Sequence, residues 1–223
     1  MALSAITDPP GRLTDVVHHQ LRAAILAGDP APGHQLSVPR LARELDVSRG
    51  SVREAVLQLV ADGLAAERPR KGVVVVTLGA AETRHIHQVR EALEGFAARL
   101  CAEASPAGLA EELEAALDVQ DAAIRGADGQ GYADTDARFH SLLARACGNP
   151  TLATLIERLH TQMQIALVRV AEAPEHRQHG HDELHHVLQA IRRADPDGAE
   201  AAMRAHIRRT RAELATRMPG EDA

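Results

Sequence analysis

Residues Leu36 to Gly72 admit few folds. They carry two apolar stripes of helical period about four residues apart, then two short strand-like runs around a basic turn. In LARELDVSRGSVREAVLQLVADGL, Leu41, Ala42 and Leu45 share one face of a short helix, and Val47 closes a tight turn. Ser48 suits the N-cap of a second helix with Val52, Ala55, Val56 and Leu59 as its inner face. Two such helices pack at a steep angle and leave the start of the second exposed. That start carries Arg49, Ser51 and Arg53. A helix presented this way enters the major groove by its N-terminal residues, where an arginine fork bonds O6 and N7 of guanine.

The segment after the second helix extends the pattern. Asp62-Gly63 ends the helix, Leu64 to Glu67 starts a strand, and Val73 to Val76 returns as another. Between them Arg68-Pro69-Arg70-Lys71-Gly72 makes a basic turn. Arg70, Lys71 and Gly72 at its tip suit phosphates or the minor groove. The expectation is a winged helix-turn-helix that binds double-stranded DNA.

These residues resemble the GntR family of bacterial transcription regulators. The likeness runs through LRAAILAGDPAPGHQL, LARELDVSRGSVREAVLQLVADGL and the wing RPRKG, about the first 77 residues. It implies DNA contacts at Arg49 and Arg53 and a wing-tip glycine at Gly72. One departure is Pro39, where some members carry an arginine; Arg40 stands beside it.

Charge separates this segment from the rest. Nine basic and eight acidic residues lie through Thr77, leaving sixteen basic and twenty-three acidic beyond it. The acidic part is a poor polyanion binder, so DNA contact is assigned to residues 1–77, with a short junction at Thr77 to Ala80 and a second domain at 78–223. The chain has only Phe96, Phe139 and Tyr132 as aromatics, so its core must be aliphatic and alanine-rich, which suits close-packed helices. No run reaches the roughly 20 apolar residues that span a bilayer, the N-terminus lacks a signal pattern, and two distant cysteines read as buried thiols. A cytoplasmic protein is expected.

The second domain reads as six helices, near 81–103, 106–126, 130–147, 150–173, 178–194 and 196–217, divided by proline and glycine. The stripe Leu152, Leu155, Ile156 and Leu159 suits an antiparallel bundle. The fold class is therefore mostly α: an N-terminal winged helix-turn-helix followed by an all-helical antiparallel bundle. This half resembles the FCD domain of the FadR-like branch of the GntR family, through VREALE (89–94), DARFH (136–140), ACGNP (146–150) and the run from Ala190-Ile191-Arg192 to Met203-Arg204-Ala205-His206. Six helices are similar to the shorter, VanR-like members. The resemblance implies a homodimer and a small organic acid as effector, and, as in many members, a divalent metal in a central cavity.

Asp136 and His140 stand four apart, one turn apart on one helix face, a spacing at which carboxylate and imidazole can chelate one ion. The family's last histidine ligand matches His206, but the histidine expected 22 positions earlier is Leu184 here. His185 is taken as its replacement, with His181 as the alternative. Such ligands suit zinc, nickel or manganese. A polar cavity without metal is the competing reading. Arg90 would take the effector's carboxylate if it faces inward, or else pair with Glu94 one turn on. The reading is a repressor on a pseudo-palindromic operator, controlled by an organic acid. The alternatives are an effector-independent architectural DNA binder, or a metal-dependent phosphohydrolase built on His181-Asp182, whose further partners are not recognisable.

Overall fold

The computed structural model describes residues 11–171 and 174–217. The chain divides into two compact units, Met1–Thr77 and Leu78–Ala223.

In the first unit α1 (Gly11–Leu26), α2 (Val38–Glu44) and α3 (Arg49–Ala61) precede a hairpin of β1 (Ala65–Arg68) and β2 (Gly72–Val75). Val17, Leu21 and Ile25 of α1 are buried, as are Ala42 of α2 and Val52, Ala55, Val56 and Leu59 of α3. Polar links at the rim fix α1 against α3: Thr14 Oγ1 donates to Glu54 at 3.1 Å, and His18 meets Asp62 at 2.6 Å. Between α2 and α3, Asp46 takes a left-handed φ of 51°, a conformation that Asp tolerates better than most residues. Ser48 Oγ then accepts from the Ser51 amide at 3.1 Å and starts α3.

The hairpin is antiparallel, with Ala65 opposite Val75 and Arg68 opposite Gly72. Each strand lies one residue from its expected bounds. Residues 33–36 line the free edge of β2: Gly33 N–H donates to Val75 O and Leu36 N–H to Val73 O, both at 2.9 Å. A Gln35–Val74 bridge completes the contact, so β2 is bonded on both sides.

The second unit holds α4 (Ala80–Ala104), α5 (Leu109–Arg125), α6 (Gly129–Ala146), α7 (Pro150–Ala171), α8 (Pro174–Arg192) and α9 (Pro196–Arg217). Helix α8 starts four residues before the expected 178, because proline is well tolerated in a first helical turn whose amide would be unbonded anyway. The end of the expected 150–173 helix falls on residues 172–173, outside the described residues. Helices α4 and α9 run antiparallel, as pairs from Arg99–Asp197 at one end to Glu91–Arg211 at the other require. They approach closely at Gly95, where a Cβ would lie 2.6 Å from Arg204 Cγ.

Alanine fills much of the core, including Ala97, Ala98, Ala102, Ala144, Ala190 and Ala199, beside Leu113, Leu117, Phe139, Leu184, Leu188 and Met203. Small side chains let helices pack at short range with few aromatics. Cys101 and Cys147 are free and buried. Burial, with the neighbouring Cys147, pushes the Cys101 thiol up to about 12. No described helix is long and apolar enough to cross a membrane.

Candidate functional site

Two places in the chain gather the residues singled out by sequence, one in each unit. In the first unit Arg49 opens α3 and Arg53 follows one turn later, both exposed. Their spacing puts the two guanidinium groups on one face of the helix. Ser51 is half-buried, and its hydroxyl lies 2.9 Å from Ser48 Oγ, so it belongs to the cap as much as to the outer face. Arg40, beside the departure at Pro39, pairs with Glu44 at 2.8 Å. Arg70 and Lys71 are exposed at the hairpin tip, where the Lys71 amide donates to Arg68 O at 3.1 Å. Gly72 has a φ of 70°, which a side chain would strain.

The second unit encloses a polar centre within the helical core. Asp136 and His140 of α6 and His206 of α9 are all buried and each offers a ligand atom within 4.8 Å of the others. His140 Nε2 lies 3.8 Å from Asp136 Oδ2, and His206 Nε2 lies 4.0 Å from Asp136 Oδ1. The far side of each ring is tied to a carboxylate. His140 Nδ1 donates to Glu94 Oε2, and His206 Nδ1 donates to Glu183 Oε2 at 3.0 Å. Those bonds put the protons on Nδ1 and turn the Nε2 lone pairs inward. His140 Nε2 is buried without a hydrogen-bond partner.

Arg90 faces inward, buried, and realises the pair with Glu94: Nε donates to Glu94 Oε1 at 2.6 Å. Its Nη2 donates to His160 Nε2 at 2.7 Å. His160 Nε2 also lies 3.3 Å from Glu94 Oε2; accepting the shorter Arg90 bond puts the His160 proton on Nδ1, which is buried and unpartnered. Burial, then Arg90, lowers the His160 imidazole to about 4, so the ring is neutral near pH 7. Burial likewise lowers His206. Burial alone would raise the Glu94 carboxyl, but Arg90 and the histidines outweigh it and hold it well below the usual range. Asp136 is lowered too, its histidine neighbours overcoming its burial.

From Glu183 the network continues outward. Arg209 Nε donates to Glu183 at 2.8 Å and Nη1 donates to Glu213 at 2.7 Å, with His176 against both Glu213 and Arg209. The network holds four carboxylates (Glu94, Asp136, Glu183, Glu213) against two guanidinium groups (Arg90, Arg209). Two negative charges are thus in excess in a largely buried region.

His185 is not brought to this centre. Its ring packs on His181 at 4.7 Å, and His181 Nδ1 meets Gln120 Oε1 at 3.0 Å. The buried face of α8 runs through His181, Leu184 and Leu188, which leaves His185 turned aside and Leu184 in the apolar core. Sequence reasoning missed His160 and Glu183. His160 had a signal: it continues the stripe Leu152, Ile156, His160, Met163, all buried, on α7. Glu183 had none, because its partner lies on another helix.

Residues 13–75 match the family of bacterial regulatory proteins, gntR family, and residues 85–209 match the FCD domain. An uncharacterised HTH-type transcriptional regulator of Agrobacterium vitis is 37% identical over 140 residues, 61% of this chain and 81% of that protein. The HTH-type transcriptional repressor NanR of Enterobacter is 28% identical, covering 88% of this chain and 83% of NanR. The structure of E. coli McbR/YncC superposes with a TM-score of 0.78 at 25% identity, over 92% of this chain and 97% of McbR. With a helix-turn-helix and wing at one end and a matching helical unit at the other, the chain belongs to the GntR family of bacterial DNA-binding transcription regulators, bears an FCD domain, and is not an enzyme.

Proposed function

We propose that the chain is a homodimeric repressor whose affinity for a pseudo-palindromic operator is set by a small organic acid, bound with a divalent cation at Asp136, His140 and His206. The observation that carries this reading is the orientation of two imidazoles. His140 and His206 are held from behind by Glu94 and Glu183, and both aim Nε2 at opposite oxygens of Asp136. Three electron-pair donors turned toward one point repel one another unless positive charge, a proton or a metal cation, lies between them. Four carboxylates against two guanidinium groups in the surrounding network favour added positive charge at this point.

A nitrogen and oxygen donor set of this kind suits zinc, nickel or manganese. Such an ion supplies positive charge and open positions for a carboxylate. Leu184 donates nothing, so three protein ligands leave room for the effector. Arg90 is already matched by Glu94; it adds attraction for an acid through its field, not through a free fork. In the first unit Arg49 and Arg53 read bases, Ser51 supports them, and Arg70, Lys71 and Gly72 touch backbone or minor groove. The acid lowers operator affinity to the extent that it binds the DNA-free arrangement of the dimer more tightly.

Metal analysis of the purified protein tests the centre. About one divalent ion per chain is expected, with a lower melting temperature after chelation because binding stabilises the folded state. His140→Ala and His206→Ala should each abolish the chelator's effect, whereas His185→Ala should preserve it. Protein that never holds metal, and does not respond to added zinc, would contradict the reading.

A further inference from the structure

Beyond Asp136, Tyr132 and Arg209 each leave a buried polar atom without a partner against α8. Tyr132 stands one turn before Asp136 on α6 and is buried, with only 2% of its surface exposed. Its Oη has no hydrogen-bond partner, and neither has the buried Arg209 Nη2. Both atoms border the same spot on α8: a Cβ on Gly180 would lie 2.1 Å from Tyr132 Oη and 3.3 Å from Arg209 Nη2. Glycine at 180 is therefore what lets the phenol end approach the helix. The Tyr132 ring stands edge-on to His176 at 5.9 Å. Burial, then the Asp136 charge, raises the phenol, so it keeps its proton and remains a donor.

Even a bond from Arg209 Nη2 to Tyr132 Oη would leave the phenol proton without an acceptor, and a buried donor in that state is costly and points to a missing acceptor. We propose that Tyr132 Oη and Arg209 Nη2 form a second subsite of the effector pocket, binding an uncharged oxygen of an acid whose carboxylate sits at the Asp136 centre. This rests on the acid-sensing reading above and narrows it to acids that carry a hydroxyl or carbonyl away from the carboxylate. The subsite disfavours a second carboxylate. Arg209 already faces Glu183 and Glu213, and Asp136 is one turn from Tyr132, so a further anion meets three acidic groups and one guanidinium. A methyl group there leaves both donors unpaired.

Titration calorimetry on the zinc-loaded full chain tests the subsite, using linear acids of three to five carbons ending in methyl, hydroxyl or carboxylate. The hydroxyl-ended acid should bind about tenfold more tightly than its methyl and diacid counterparts at one chain length at least, since a site built to hydrogen-bond rejects analogues that cannot. Tyr132→Phe should erase that gain yet raise the melting temperature of the acid-free protein, because it removes an unsatisfied buried hydroxyl. A purely structural tyrosine would show the opposite shift. Arg209→Lys, which keeps the charge and removes Nη2, should also erase the gain. Equal affinity for the three chain ends, preference for the diacid, or a gain that survives Tyr132→Phe would each overturn the subsite while leaving acid sensing intact. Binding of none of these acids by protein that holds zinc would instead overturn the acid-sensing reading, and the subsite with it.

Discussion

Glu94 stands to His140 as Glu183 stands to His206: each carboxylate accepts an Nδ1 proton and so aims the other ring nitrogen at Asp136. Carboxylates behind ligating histidines typically change metal affinity by 10–100-fold. Glu94→Gln should therefore weaken zinc binding by about that factor in competition with a chelating dye, while the helical circular dichroism is retained. At the other site, Arg53→Ala should cost about 1–3 kcal/mol on the preferred operator and relax specificity at one position per half-site, whereas Lys71→Ala should weaken all duplexes alike. Fluorescence anisotropy on operator and scrambled DNA separates the two outcomes. At this scale the sequence was readable where partners share a helix. Asp136 with His140 and Arg90 with Glu94 are both one turn apart. It was unreadable where the partner lies on another helix, as with Glu183 and His206. His185 was chosen by proximity to Leu184, yet a neighbouring residue on a helix points about 100° away.

Helix α3 owes its start to Ser48, whose hydroxyl caps the amide of Ser51 between the two exposed arginines. Ser48→Ala should remove about 1 kcal/mol from that first turn. Faster hydrogen exchange at residues 51–53, with the six helices of the second unit unaffected, is the expected signature. Helix existence was legible from α2 onward, because apolar period, proline and glycine punctuation and a serine cap agree there, whereas α1 was touched only through the family resemblance. Helix starts were less so: Pro174 opens α8 although proline also reads as a breaker. The strand-like edge at residues 33–36 was hidden because its bonds go to β2, nearly forty residues away, and its own side chains do not alternate.

The whole molecule should be acid-sensitive. His87 and His160 are both lowered to about 4, first by burial and then by Arg90. Their unfolded counterparts titrate near 6.5. Between those values the unfolded chain binds protons that the folded chain does not, so stability is full above about pH 6.5 and is lost as the pH falls towards 4. Each of these histidines accounts for about 3 kcal/mol of that loss by pH 4. Glu94 and Asp136, held low in the fold, extend it in the same direction as their unfolded counterparts protonate. Melting curves from pH 7 to 4 should show the decline, and His87→Gln should flatten it. Assembly is the other property at this scale: sedimentation should give a dimer of the full chain, which places two recognition helices on a two-fold operator.

The most direct test titrates a duplex, selected by the protein itself from random DNA, with the zinc-loaded chain in the presence and absence of a hydroxy acid that calorimetry shows to bind. The acid should raise the operator dissociation constant about 5–150-fold, the usual range of allosteric coupling, with the effect gone in His206→Ala. An acid that occupies the helical unit and leaves operator affinity unchanged would contradict acid control of the operator.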